Sequence, residues 1–271
     1  MPELPEVETT RRGIAPALLG FRVIDAIVRE RRLRWPIPAD FEKNVIGQTV
    51  RSVERRAKYI LITFDTGTLI LHLGMSGSLR LVKPGAPLKT HDHWDLLLDS
   101  GWLLRFHDPR RFGSLHFTTG DPQQHALLKR LAPEPLSDVF DADYLYRATR
   151  KRSVAIKQLI MNSQLVVGVG NIYASEALFR AKISPRRAAR RITKAEAAKL
   201  ARSIKTVLAA AVKIGGTTLR DYTNADGEPG YFRQKLFVYE RDGMACRVCK
   251  TDIKQFTQGQ RSTYWCAVCQ R

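Results

Sequence analysis

The sequence predicts an α+β protein of several domains: an N-terminal helix with an antiparallel β-sandwich, then a helical region, then a small β-hairpin tail. Three observations lead there. Short apolar runs separated by hairpin turns fill the chain from Phe21 to about Thr119, helical spacing takes over after Pro133-Glu134-Pro135, and all four cysteines lie in the last 26 residues. At 271 residues the chain has room for two or three modest domains, and its 44% hydrophobic content is that of a folded protein.

The first twenty residues read as a helix. Pro5 suits its first turn, Glu6 and Glu8 favour the positive end of the dipole, and Gly20 can end it. Strands are expected from Phe21 to about Thr119, for example at Phe21–Val28, Tyr59–Phe64, Thr68–Leu73, Trp94–Asp99 and Trp102–His107, with turns such as Asp65-Thr66-Gly67 and Ser100-Gly101 between them. Helices follow at Ser153–Met161, Ile172–Ala181 and Lys194–Lys213, the last stopped by Gly215-Gly216. A looser Gly-bearing segment from Asn224 to Gly230 leads into the cysteine tail. The division expected is 1-134, 135-230 and 236-271.

Charge narrows the class. Forty-five Lys+Arg against 26 Asp+Glu give a net +19, and the basic residues recur along the whole chain, as in Arg29–Arg34, Arg51–Lys58, Arg105–Arg111, Arg147–Lys157 and Lys182–Arg191. A basic surface can serve solubility alone, but a polyanion that touches several domains fits this distribution better than a small acidic metabolite. No run of about 18 apolar residues marks a membrane span, and the acidic N-terminus lacks the apolar core of a secretion signal. A cytoplasmic protein is expected, and a reducing compartment disfavours disulfides.

Cys246-x2-Cys249 and Cys266-x2-Cys269 are separated by sixteen residues. Each pair can place two thiolates on one side of a tight turn, and two such turns close a tetrahedral zinc site. The alternatives are two disulfides or four unrelated core cysteines. One Zn2+ is expected, structural because four protein ligands leave no open position, and it supplies stability that so small a tail lacks. A hairpin between the pairs would carry Arg261 at its tip, either as a solvated residue or as a phosphate contact.

Gly168-Val-Gly-Asn171 precedes a helix and resembles a dinucleotide loop, but Tyr173 stands where a third glycine should be and no parallel βαβ unit surrounds it, so no nucleotide cofactor is expected. Glycines before a helix N-terminus still make an anion site. Asn171 could cap the helix, donate to a phosphate, or both. At the other end of the chain, Pro2 becomes a free secondary amine once Met1 is removed, partly unprotonated at neutral pH and able to attack a sugar carbon. Alone, a proline after Met1 is usually inert.

Met1-Pro-Glu-Leu-Pro-Glu-Val-Glu8, Arg55-Arg-Ala-Lys-Tyr59, His72-Leu-Gly-Met-Ser-Gly77, Asp108-Pro-Arg-Arg-Phe-Gly113, Gly168-Val-Gly-Asn-Ile-Tyr173 and the four-cysteine tail occur in this order along essentially the whole chain. Together they resemble the bacterial formamidopyrimidine-DNA glycosylases. The resemblance implies a helix–two-turn–helix arrangement for the helical domain, a zinc-finger hairpin, and a monomer acting on double-stranded DNA that contains oxidised purines. It further implies base excision repair by a glycosylase and AP lyase, which removes 8-oxoguanine and formamidopyrimidines and then cleaves the strand by β,δ-elimination. Relatives of the endonuclease VIII type act on oxidised pyrimidines and open with Pro-Glu-Gly-Pro-Glu; Leu4 here favours the purine branch.

By the same resemblance, Pro2 is the nucleophile that forms a Schiff base at C1′, Glu3 shuttles protons at the sugar, Lys58 (on its own a solvated strand lysine) assists β-elimination and binds the phosphate of the damaged nucleotide, and Arg261 serves δ-elimination. Asn171 and His72 grip the backbone nearby. Met75, Arg110 and Phe112 fill the space left by the extruded nucleotide, chemistry that apolar wedges and a hydrogen-bonding arginine can perform. On composition alone Met75 and Phe112 read as core residues. His91 and Arg152 match further DNA contacts, with Lys157 and Tyr239 as weaker matches at the lesion site and phosphate. The chain departs from the pattern at Asn162, where relatives often carry an acid that could pair with Lys157 or Lys58. The rival reading is a DNA-binding zinc protein without catalysis, which has no use for Pro2 beside Glu3.

Overall fold

The computed structural model describes residues 2–216 and 236–271. The Asn224–Gly230 segment therefore lies outside the described residues. Among these residues the chain forms two compact units, one of residues 2–129 and 214–216, the other of residues 130–213 and 236–271.

The first unit is the sandwich. Helix α1 (Leu4–Leu18) begins after Glu3, whose N–H donates to the Glu6 carboxylate at 2.8 Å. It ends at Leu19 and Gly20, the latter at φ +81. Strands β1 (Val23–Val28), β2 (Ser52–Arg56), β3 (Tyr59–Thr63), β4 (Thr68–His72), β5 (Ser78–Val82), β6 (Asp92–Leu98), β7 (Leu103–His107) and β8 (Ser114–Thr118) form two antiparallel four-stranded sheets, ordered β1-β6-β7-β5 and β2-β3-β4-β8. A short helix, α2 (Phe41–Val45), follows β1.

Side chains from both sheets meet in one core. Val23, Trp94, Leu96, Leu104 and Phe106 come from the first sheet, Val53, Ile60, Ile62, Leu69, Leu71 and Leu115 from the second, with Val7, Ile14 and Leu18 of α1 added. Each such buried aliphatic or aromatic side chain stabilises the fold by about 1.5–3 kcal/mol relative to exposure. The five strands read from the sequence are present with ends shifted by at most two residues. β2, β5 and β8 fall in the same Phe21–Thr119 region without having been singled out; β2 carries a single apolar residue, Val53, whereas β5 and β8 keep the apolar alternation at Leu79, Leu81, Leu115 and Phe117.

Charges lock the ends of β6 and β7. Asp92 accepts from Arg80 at 2.6 Å and from His107 Nδ1 at 2.9 Å, and Arg105 forks onto Asp95 through two contacts of 2.9 Å. Burial alone would raise the Asp92 pKa. The Lys89 amide, His107 and Arg80 outweigh it and hold the carboxyl below its ordinary value. The strand ends so fixed carry His91 on one side and Asp108 on the other.

The second unit contains α3 (Ala142–Thr149), α4 (Ile156–Ile160), α5 (Asn171–Ala181), α6 (Lys194–Ile214) and the hairpin β9 (Lys254–Gln258) with β10 (Arg261–Trp265). Asp141 caps α3 by accepting from the Tyr144 N–H at 2.7 Å. α4 is shorter than expected, since Ala155 is extended and bridges Ala188. The N-cap of α5 is Gly170, not Asn171, and no side chain caps it. The Asn171 side chain is engaged elsewhere.

Candidate active site and metal centre

Pro2 and Glu3 are both buried, in the extended stretch that feeds α1. Lys58 was expected in a strand. It lies instead in the two-residue turn between β2 and β3, since Arg56 pairs with Tyr59 and Ala57 takes φ +54. The turn brings the Lys58 charge near His72 at the end of β4, across the sheet from Tyr59, whose ring centre is 4.9 Å from that of His72. Burial first, then the positive charges of Lys58 and Arg34, push the His72 pKa down to about 4. The ring is therefore neutral at physiological pH. Its Nδ1 accepts from the Gly74 N–H at 3.0 Å, which leaves the proton on Nε2 as an uncharged donor suited to a phosphate oxygen.

Met75, Arg110 and Phe112 stand on two neighbouring loops and point outward. Met75 is 40% exposed and Phe112 42%, which overturns the reading of them as core residues. The Arg110 guanidinium lies 4.8 Å over the Phe112 ring. Gly74, at φ +66, explains the close approach of the loops, because a Cβ there would stand 2.4 Å from the Gly113 nitrogen and the Phe112 carbonyl carbon. His91, also exposed, takes φ +76.

In the second unit, three anticipated residues converge. Lys157 on α4 is 1% exposed, and its Nζ donates to Asn171 Oδ1 at 2.6 Å, Thr263 Oγ1 at 2.7 Å and the Ser262 carbonyl at 3.3 Å. Asn171 Nδ2 donates to the same Ser262 carbonyl at 2.9 Å. Arg261 is thus placed one residue from this staple, exposed at the start of β10. The hairpin tip is the turn Gly259-Gln260, both at positive φ, as a tight two-residue connection requires. A Cβ on Gly259 would meet the Gln158 amide at 2.8 Å, so the tip rests against α4. Arg152 is exposed in the loop before α4.

Tyr239 packs edge-on against Tyr264, with ring centres 5.1 Å apart, in a stretch whose backbone is gripped by Glu176. That buried carboxylate accepts from the N–H groups of Phe237, Val238 and Tyr239, each at 2.9 Å. Neither Glu176 nor Thr263 was singled out from the sequence; a glutamate inside an apolar helix face was the available signal for the first. Asn162 is exposed and its Oδ1 accepts from the Gln164 N–H at 3.0 Å, a local turn that a carboxylate would make equally well.

The cysteines form the remaining cluster. Their four Sγ atoms lie within 4.8 Å of one another, with 3.9 Å between Cys246 and Cys269 and 3.4 Å between Cys249 and Cys266. Zinc–sulfur bonds of about 2.3 Å in a tetrahedron separate sulfurs by roughly 3.8 Å. The N–H groups of Val248 and Cys269 point at Cys246 and Cys266 Sγ, at 3.4 and 3.5 Å, as they do when sulfur carries charge. Without a cation the thiols compete. A hydrogen bond from Thr251 draws the Cys249 pKa down to about 6, while burial and the three neighbouring sulfurs push Cys269 up to about 12. A dication resolves that conflict by stabilising all four thiolates at once, so the donor set fits zinc.

Comparison with known proteins agrees with this geometry over the full length. Residues 1–115 match the formamidopyrimidine-DNA glycosylase N-terminal domain, residues 131–223 the H2TH domain of the same enzymes, and residues 244–271 the zinc finger found in FPG and IleRS. The chain belongs to the formamidopyrimidine-DNA glycosylase family. Curated members from Thioalkalivibrio sulfidiphilus and Pseudomonas entomophila are 62% and 58% identical over 271 residues, covering 100% of both chains in each case. Among solved structures, the MutM (Fpg) protein of Thermus thermophilus is 39% identical with a TM-score of 0.89, over 99% of this chain and 98% of that one. The Lactococcus lactis Fpg in complex with abasic-site DNA is 32% identical with a TM-score of 0.92, over 99% of each chain. Family membership and the cysteine geometry together assign one structural zinc ion, held by Cys246, Cys249, Cys266 and Cys269. No helix among the described residues is long and apolar enough to cross a membrane.

Proposed function

We propose that this chain is a DNA glycosylase of base excision repair that acts as a monomer on double-stranded DNA, excises 8-oxoguanine and formamidopyrimidines, and then cleaves the strand as an AP lyase. The observation that carries this reading is the full-length match to formamidopyrimidine-DNA glycosylases, together with a Pro2-Glu3 start whose Leu4 sets it apart from the pyrimidine-specific relatives. A bound lesion is on record for a relative, the Lactococcus lactis protein with DNA containing N7-benzyl-Fapy-dG.

With Met1 removed, the Pro2 nitrogen attacks C1′ while the glycosidic bond breaks and the base leaves with the bonding pair. Opening of the sugar ring, with Glu3 delivering a proton to the ring oxygen, leaves an iminium on Pro2. Loss of a C2′ proton then expels the 3′ phosphate, and a second elimination expels the 5′ phosphate. Lys58 assists the first and Arg261 the second, each neutralising phosphate charge. His72, Asn171, His91, Arg152, Lys157 and Tyr239 hold the DNA or the groups that touch it. The zinc ion supplies folding energy to the finger and takes no part in the chemistry. The division into catalytic sandwich (1-134), helix–two-turn–helix (135-230) and zinc finger (236-271), and a cytoplasmic, nucleoid-associated location, belong to the same reading.

Borohydride trapping on duplex DNA with 8-oxoguanine opposite cytosine tests it. A covalent adduct is expected for the wild type and none for Pro2→Gly. Equal trapping by both variants, or no trapping at all, would remove the proline mechanism. A preference for thymine glycol in the same assay would move the chain to the pyrimidine branch.

A further inference from the structure

We propose that Asp108 is a positioning residue for duplex opening, its buried carboxylate joining the loops that carry Met75, Arg110 and Phe112 into one rigid wedge. This rests on the reading above that those three residues fill the space of the extruded nucleotide.

Asp108 is fully buried, and every polar group it owns is spent on the wedge loops or their base. Oδ1 accepts from Ser76 Oγ at 2.6 Å, one residue beyond Met75, and Oδ2 accepts from the Gly113 N–H at 2.7 Å, one residue beyond Phe112. Ser76 Oγ in turn accepts from the Arg110 N–H at 3.3 Å. The main chain of Asp108 is fixed from the other side, since its N–H donates to the His91 carbonyl at 3.1 Å and its carbonyl meets His93 Nε2 at 2.7 Å. Four residues expected to face DNA therefore hang on one aspartate, each within two positions of a group bonded to it or to Ser76.

The physical case is one of preorganisation. Prising a base out of a stacked duplex costs unstacking and unpairing energy, and a wedge that must first be ordered adds its own entropy to that barrier. Met75, Arg110 and Phe112 are exposed, so much of their order has to come from the backbone beneath. Hydrogen bonds to a fully buried carboxyl group are not weakened by competing water. A residue that served only to close the β7–β8 connection would need Gly113 but not Ser76.

The test compares two substrates. Excision of 8-oxoguanine from duplex DNA requires extrusion, whereas nicking of a single-stranded abasic site does not. Asp108→Asn, which replaces one acceptor by a donor, and Ser76→Ala, which removes the bridge with little loss of volume, are each expected to slow single-turnover duplex excision by about 10- to 100-fold. Nicking of the single strand should change by no more than about twofold. Equal loss on both substrates would mean a general folding defect and overturn the proposal, as would undiminished duplex excision by Ser76→Ala. Phe112→Ala and Met75→Ala separate the two levels of the argument. If they spare duplex excision, the wedge reading itself fails and this proposal with it; if they impair it while Ser76→Ala and Asp108→Asn do not, only the positioning role of Asp108 fails.

Discussion

The Lys157 ammonium donates to the side-chain oxygen of Asn171 at 2.6 Å and so turns the Asn171 amide nitrogen onto the zinc hairpin, at the Ser262 carbonyl. A glycine-loop residue and a zinc-finger strand are thereby held by one buried cation. Lys157→Met is expected to destabilise the second unit by about 2–3 kcal/mol, since Asn171 Oδ1 and Thr263 Oγ1 lose its ammonium donor while the Ser262 carbonyl keeps only Asn171 Nδ2. DNA affinity should fall about tenfold or more even where the fold persists. Thermal unfolding read beside DNA titration checks this, and an unchanged affinity would show that the staple does not set the hairpin.

The depressed His72 pKa gives a pH dependence with a definite sign. At about 4 against an ordinary 6.5, the folded chain refuses a proton that the unfolded chain accepts between those values. Stability therefore falls as pH drops from 6.5 towards 4, by about 1.4 kcal/mol per unit and about 3 kcal/mol in all. His72→Gln removes this contribution. Its denaturation midpoint should decline less steeply than that of the wild type from pH 7 to pH 5, and parallel curves would contradict the assignment.

Two glycines at positive φ should respond differently to alanine. Gly20, at φ +81, has open space where a Cβ would go, and Gly20→Ala should cost only about 1 kcal/mol of backbone strain. Gly74 has backbone atoms 2.4 Å from the same point. Gly74→Ala is expected to cost several-fold more and to impair duplex excision, since relief requires the Phe112 loop to move. Matched thermal melts of the two variants decide it.

Metal content gives a fourth check. Cys249→Ser removes one of four ligands and is expected to lower zinc well below one ion per chain, with loss of specific DNA binding. Elemental analysis alongside a binding titration reads both. Nicking activity retained in metal-free protein would refute a required structural zinc. Wild-type affinity should also fall steeply with salt as counterions are released.

Much of this was legible in the sequence because it is local. The cysteine spacing implied a four-thiolate cluster, strong turn pairs bounded most strands, and Gly215-Gly216 ended α6. Other features depend on contacts between residues distant in the chain. Lys157 reads as a basic residue near an apolar helix until Thr263, 106 positions later, is seen to accept from it. Asn171 before a helix reads as a cap until Ser262 claims its amide. Lys58 reads as a strand residue because the turn that holds it contains neither Gly nor Asn, and Ala57 takes the positive φ instead. Met75 and Phe112 are apolar residues placed outside, where composition argues for burial.

The contact of Gly74 with the backbone at Phe112 and Gly113 reaches beyond this single chain. Two segments that meet without intervening side chains share one mould, and a change of shape in either is transmitted to the other at full size. Across descendants of this gene, position 74 and the 112–113 stretch should therefore drift as a linked pair: a lineage that replaces the glycine must remodel the second loop in step, or lose the ability to open its substrate.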